Sequence, residues 1–163
     1  MRNLLNKKLK NEKGLTLIEL LAVIVILAII ALIAIPAIGN IISNSKSKAV
    51  LSDATTIISG AKTAIADGVC GAPAEDKSVT CTGEQLKDYV EGLKSGNELV
   101  KTDTVKKTAT GEYQITYTAL NSNNVNEKYM DLLKTAGATI TAGTPSKVTL
   151  VTQKQLADVM GNK

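Results

Sequence analysis

The sequence predicts an α+β fold in which a long N-terminal α-helix packs, along its C-terminal half, on a small antiparallel β-sheet head. Residues 20–35 carry no polar side chain. Apolar side chains then recur every three or four residues from Val50 to Ile65, as on one face of a helix. The remaining chain contains short threonine-rich segments in which polar and apolar residues alternate, a pattern typical of strands with one buried face.

Composition divides the chain into three parts. Residues 1–14 form a charged leader, residues 15–66 the long helix with its apolar span over 15–35, and residues 67–163 the head. A head of about 100 residues is large enough for one small domain and too small for two. We therefore expect one globular unit, preceded by a helix whose apolar half is uncovered.

The net positive charge of the chain lies in its leader. The net charge is +4 over 163 residues. The leader carries five basic side chains and one acidic one, so the remainder is neutral. A basic N-terminal end indicates membrane orientation with the N terminus inside, and it gives no support for nucleic-acid binding.

Histidine is absent from the sequence. A Ser-His-Asp or Cys-His nucleophile is therefore excluded, and so are most zinc sites. The acidic pair Glu75-Asp76 lies in a polar stretch without the signals of a cleft. We expect neither an enzyme nor a site for a metal or a cofactor.

The 21 residues from Leu15 to Ile35 are long and apolar enough to cross a membrane. Only Thr16 and Glu19 among them are polar, and a helix of this length spans about 32 Å, close to the thickness of the hydrocarbon core. A cleavable signal peptide has a shorter apolar core, of about 7 to 15 residues. The first cysteine, Cys70, lies too far along the chain for a lipoprotein signal. A plain signal anchor remains open.

Glu19 is the feature that a plain anchor does not explain. An ionisable side chain in an apolar span is costly and by default has a function and a partner. We expect no partner for it within the span of residues 15–35. Cleavage between Gly14 and Leu15 would create an ammonium group one helical turn from Glu19, or at the same level on a neighbouring identical helix.

The motif Lys13-Gly14-Leu15-Thr16-Leu17-Ile18-Glu19, followed by an apolar run that ends at Pro36, resembles the class III signal of type IV prepilins and pseudopilins. The resemblance implies that a prepilin peptidase cuts after Gly14 and methylates the new N terminus at Leu15. It also implies that Glu19 guides assembly and that Pro36 matches the proline found midway along the pilin helix. Leu15 departs from the pattern, because the first mature residue in this family is usually phenylalanine.

The same resemblance implies a structural role. The chain would be a type IV pilin, the major subunit of its filament. It would enter the cytoplasmic membrane as a single-pass precursor and then polymerise with copies of itself into an extracellular surface filament. An assembly ATPase and a membrane platform protein would be its further partners. A pseudopilin of a type II secretion or competence system is the alternative within the family, and an uncut membrane-anchored binding module is the alternative outside it. Adhesion, twitching motility and DNA uptake all occur in the family, and no stretch selects among them.

Two further features of the sequence concern the helix and the loop after it. Pro36 lacks an amide donor and crowds the preceding turn, and Gly39 follows three residues later, so we expect a kink or local melting there. Cys70 and Cys81 lie beyond the span, on the outer side of the membrane, where a disulfide is favoured over two free thiols.

The head sequence predicts a series of short elements. A capping box at Thr82 opens a helix that carries Leu86, Tyr89, Val90 and Leu93 on one face. Strands over 99–105 and 113–120 form a hairpin through Gly111. Asn124 caps a helix over 125–136, strands over 138–141 and 147–152 follow, and residues 153–160 form a helix or an edge strand.

Overall fold

The structure is a computed structural model that describes residues 16–161. The leader, and with it Gly14 and Leu15 on either side of the expected cleavage site, lies outside the described residues. The chain separates into two compact units, Met1–Ile41 and Ile42–Lys163.

The long helix, α1, begins at Leu17 and ends at Ala66, a length of 50 residues. The helix continues without interruption through Pro36 and Gly39. The expected local melting is therefore not observed, and the kink remains a prediction. Gly68 ends α1 because its φ of 74° is a left-handed conformation that glycine adopts without strain.

In the second unit, α1 buries one face against the head. The apolar residues of this face have no exposed surface, and they follow the spacing of three and four that the sequence predicts. They are Val50, Leu51, Ala54, Ile57, Ile58, Ala61 and Ala64. The expected packing of a helix on a sheet in an α+β fold is confirmed.

The sheet has five antiparallel strands in the order β1-β2-β3-β5-β4. The strands are β1 (Val79–Thr82), β2 (Thr104–Lys107), β3 (Tyr113–Thr116), β4 (Thr139–Thr141) and β5 (Lys147–Thr152). One row of paired residues crosses four of the strands, and each of its members is buried: Cys81, Val105, Ile115 and Val151. The sheet thus contributes the side chains of this row to the centre of the hydrophobic core.

Three short helices complete the head: α2 (Gly83–Leu86), α3 (Glu127–Thr135) and α4 (Gln153–Val159). The last segment, for which the sequence allowed a helix or an edge strand, is therefore a helix. Thr152 caps α4 with a full capping box, since Thr152 N donates to Gln155 Oε1 at 2.8 Å and Gln155 N donates to Thr152 Oγ1 at 3.2 Å.

The expected strand over 99–105 was wrong in its first part. Residues 100–103 form a turn instead, in which Asp103 N donates to Val100 O and Val100 N donates to the Asp103 carboxylate. The strand therefore begins at Thr104. Its partner strand ends at Thr116, earlier than expected, because Thr118 turns its hydroxyl and backbone amide to the same carboxylate of Asp103.

Two helix boundaries in the head also differ from expectation. α2 is a single turn that ends at Leu86, although Val90 still reaches the core. α3 is capped by Asn126 rather than Asn124: Asn126 Oδ1 accepts a hydrogen bond from Tyr129 N at 3.2 Å. β1, which pairs with β2, was not predicted at all.

Candidate assembly site at the helix N terminus

Thr16 and Glu19 form a capping box at the start of α1. Thr16 N and Thr16 Oγ1 each donate to Glu19 Oε2 at 2.8 Å. Glu19 N donates back to Thr16 Oγ1 at 3.3 Å. These bonds satisfy amide groups that the first turn of a helix leaves without an intrahelical partner.

The expectation that no residue within 15–35 pairs with Glu19 was therefore wrong. Thr16 is the functional neighbour that the sequence analysis missed, and the spacing Thr-x-x-Glu before an apolar run was the signal for it. The partner is a neutral hydrogen-bond donor, so the negative charge of Glu19 still has no counter-ion among residues 16–161. The positive end of the helix dipole favours a carboxylate at this position.

The capping box also fixes where the carboxylate lies. Because Thr16 N donates to it directly, Glu19 Oε2 is within hydrogen-bond distance of the residue that immediately follows Leu15. Within the described residues, Glu19 Oε1 accepts no hydrogen bond. One carboxylate oxygen is thus held by the chain itself and the other is available to a further donor.

The apolar side chains that follow Glu19 are exposed. Every large apolar residue from Leu17 to Ile42 exposes between 48% and 88% of its surface. α1 is the one helix of the described residues that is long and apolar enough to cross a membrane, and its most apolar stretch is not buried in the subunit. So large an apolar surface on one chain calls for lipid or for another protein to cover it.

Pro36 and Gly39 lie within this exposed part of α1. Pro36 leaves one intrahelical hydrogen bond unmade, yet the helix continues on both sides of it. A Cβ added at Gly39 would meet no atom within 4 Å. In the isolated subunit, no close packing therefore requires glycine at position 39.

Cys70 and Cys81 form a disulfide, as expected. Cys70 lies four residues after the end of α1, and Cys81 lies in β1. The bond thus connects the end of the long helix directly to an edge strand of the sheet. A hydrogen bond from Gln85 Nε2, in the short helix α2 that follows β1, to Val69 O at 3.0 Å adds a second link to the end of the long helix.

One comparison with known proteins finds a relationship for this chain. Residues 9–35 match the family model described as the prokaryotic N-terminal methylation motif, a motif typical of type IV pilins. The match covers the end of the leader, Gly14, Leu15, Glu19 and the apolar run. No curated protein matches the chain, and no solved structure does.

Proposed function

We propose that this chain, which carries the prokaryotic N-terminal methylation motif at residues 9–35, is a type IV pilin precursor. It is cut between Gly14 and Leu15, methylated at Leu15, and assembled with copies of itself into a filament on the cell surface. Its role is structural rather than enzymatic. The observation that carries this proposal is the exposed apolar half of α1, which follows directly after a motif for N-terminal processing.

The exposed half of α1 suits two successive environments. In the precursor, residues 15–35 span the cytoplasmic membrane, and the basic leader stays inside. A subunit that leaves the membrane needs another apolar environment for the same side chains. The helices of neighbouring copies supply it, because each presents the same apolar surface.

The Thr16–Glu19 capping box supports a specific role for cleavage. Thr16 N holds the carboxylate of Glu19 beside the N-terminal end of the helix, one residue from Leu15. In the uncut chain the nitrogen of Leu15 is a neutral amide, whereas in the cut chain it is an ammonium group. Cleavage therefore creates a positive donor for the available oxygen of Glu19, on the same chain or on a neighbour.

Three kinds of protein act on the chain under this proposal. A prepilin peptidase cuts the precursor and methylates Leu15, and an assembly ATPase and a membrane platform protein move the subunit into the filament. We infer these partners from the N-terminal methylation motif and not from a binding surface on the head. Energy from the ATPase is required because removal of an apolar helix from lipid is unfavourable.

Analysis of the N terminus of the protein isolated from cells tests the proposal. We expect a chain that begins at methylated Leu15, by intact mass and by peptide sequencing. A chain that still begins at Met1 would refute processing and would leave the membrane-anchored binding module as the function. Electron microscopy of material sheared from the cell surface then distinguishes long pili from the short pseudopilus of a secretion or competence system.

A further inference from the structure

Asn126 joins α3 to α1 through three hydrogen bonds. Its backbone N donates to Ser47 Oγ at 2.9 Å, and its side-chain Nδ2 donates to Asn44 Oδ1 at 2.7 Å and to Ser43 Oγ at 3.3 Å. Within the second compact unit, Ser43 is the first residue of α1 that forms a hydrogen bond with another described element. Asn126 also caps α3 through Tyr129 N, so one residue both starts a helix and holds a second helix.

The part of α1 held by Asn126 makes little apolar contact. Residues 43–48 are all polar, and Ser47, the buried one, donates its own hydroxyl proton to Ser43 O at 2.9 Å. The buried apolar face of α1 begins only at Val50. Residues 43–48 are therefore held to the head by hydrogen bonds that water can replace, whereas residues from Val50 onward are held by apolar burial.

α3 has interactions other than the bonds from Asn126 to α1. Val125 and Tyr129, which flank Asn126 along the chain, expose only 1% and 5% of their surfaces. The cap bond from Tyr129 N to Asn126 Oδ1 uses a different atom from the bonds to α1. The bonds from Asn126 to α1 can therefore break without removing the cap bond of α3.

We propose that the three hydrogen bonds from Asn126 to Ser43, Asn44 and Ser47 form a releasable clamp on α1. The clamp opens locally and frees residues 43–49 from the head without unfolding the core. An open clamp leaves residues 43–49 of α1, seven residues and about 10 Å of helix, without contact to the rest of the head. The subunit then has two states that differ in how much of α1 the head holds, and this property does not depend on whether the chain forms a pilus.

Amide hydrogen exchange of the full chain in detergent micelles, followed residue by residue with NMR, tests the clamp. The amide of Asn126 donates to Ser47, so its exchange rate reports opening directly. We expect it to exchange at least tenfold faster than the amide of Ile115 in the central strand β3, because local opening needs less free energy than global unfolding. Equal exchange rates at Asn126 and Ile115 would overturn the proposal.

Variants on α1 test the bonds of the clamp without changing the cap of α3. The double variant Ser43→Ala/Asn44→Ala removes both side-chain acceptors and leaves the cap of α3 intact. We expect exchange at Asn126 to rise roughly threefold to tenfold, which corresponds to the loss of one or two hydrogen bonds, with no change at Ile115. Asn44→Asp keeps an acceptor oxygen and should stay near wild type. Ser45→Ala, an exposed neighbour, should change nothing.

Two results of the variant experiment would contradict the clamp. The first is an unchanged exchange rate at Asn126 in the double variant, which would show that the side-chain bonds do not hold α1. The second is a parallel rise at Met130, whose amide donates to Asn126 O within α3. A parallel rise would show that the start of α3 frays, rather than that the clamp opens.

Discussion

Thr16 donates two hydrogen bonds to one oxygen of Glu19, from its backbone nitrogen and from its hydroxyl, each at 2.8 Å. The pair gives Glu19 two separable properties. One of its oxygens accepts the hydrogen bonds that start α1. Its negative charge has no counter-ion among residues 16–161. Variants at position 19 can remove the second property while keeping the first.

Replacement of Glu19 should abolish filaments without preventing membrane insertion. Glu19→Ala removes both the acceptor and the charge, whereas Glu19→Gln keeps an amide oxygen that can accept from Thr16. Because the proposed partner is the ammonium of Leu15, we expect both variants to enter the membrane and both to lose filaments. The measurement compares the membrane fraction with sheared surface material. Wild-type filament yield in Glu19→Ala refutes the role of the carboxylate, and normal filaments in Glu19→Gln alone show that hydrogen bonding suffices.

Gly60 should tolerate no larger residue. It lies on the buried face of α1, and an added Cβ would be 2.5 Å from both Tyr89 O and Val90 Cγ2. Because the first of these is a backbone atom, the loop at Tyr89 has to shift. We expect Gly60→Ala to lower the free energy of unfolding of the head by about 1 to 3 kcal/mol, with a fall of several degrees in Tm.

Gly39→Ala is the matched control for this prediction. It places the same side chain on the same helix at a position with no atom within 4 Å. Alanine favours helix over glycine by about 1 kcal/mol, so we expect no loss of stability there. Thermal unfolding in detergent, followed by circular dichroism, compares the two variants. Equal Tm values for Gly60→Ala and wild type would contradict the close approach to Tyr89.

The parts of the fold that sequence could predict are those that local chemistry determines. The buried face of α1 follows from the spacing of its apolar residues, and the hairpin between β2 and β3 turns at Gly111, whose φ is 86°. β1 was missed because Val79–Thr82 alternates apolar and polar residues over only four positions, the shortest pattern that indicates a strand. Its place at the sheet edge depends on pairing with β2 and on the disulfide.

The remaining differences come from contacts between segments far apart in the chain. Asn124 and Asn126 are equally good helix caps by residue type. The choice of Asn126 agrees with its contacts to Ser47 and Asn44, some 80 residues earlier. At the N terminus of α1, by contrast, Glu19 was singled out from its cost in an apolar span, and its partner Thr16, which was missed, lies within one turn of it. The local spacing Thr-x-x-Glu would have been sufficient to predict this contact.

Removal of the disulfide should destabilise the head. Cys70 and Cys81 are 11 residues apart, and closure of a loop of this length stabilises a fold by about 3 kcal/mol on the chain-entropy estimate. We expect Cys70→Ala/Cys81→Ala, or the wild type under reducing conditions, to unfold at lower temperature or denaturant concentration. The measurement is denaturant unfolding with and without reductant. As a control, the double variant should not respond to reductant, and equal stability of the oxidised and reduced wild type would contradict the prediction.

Asp76 should titrate well below the usual range of a carboxyl. Hydrogen bonds from the side chain and from the backbone N of Ser78 lower the pKa of Asp76 from 3.8 to about 2, and the backbone N lies 2.9 Å from Asp76 Oδ1. Lys106 Nζ, 3.3 Å from Oδ2, makes a smaller contribution. The charged form is favoured in the folded state. Its contribution to stability is therefore present above about pH 4 and is lost as the pH falls through about 2.

Carboxyl-carbon NMR of the full chain measures this pKa directly. We expect a midpoint at about 2 for Asp76. In Lys106→Met the pKa should rise slightly and remain clearly below 3.8, because the hydrogen bonds from Ser78 are the larger cause. High salt should likewise have a small effect, since it screens the exposed Lys106 charge and leaves the hydrogen bonds in place. A midpoint near 3.8 in the wild type, or a full return to 3.8 in Lys106→Met, would show that Ser78 does not hold the carboxylate.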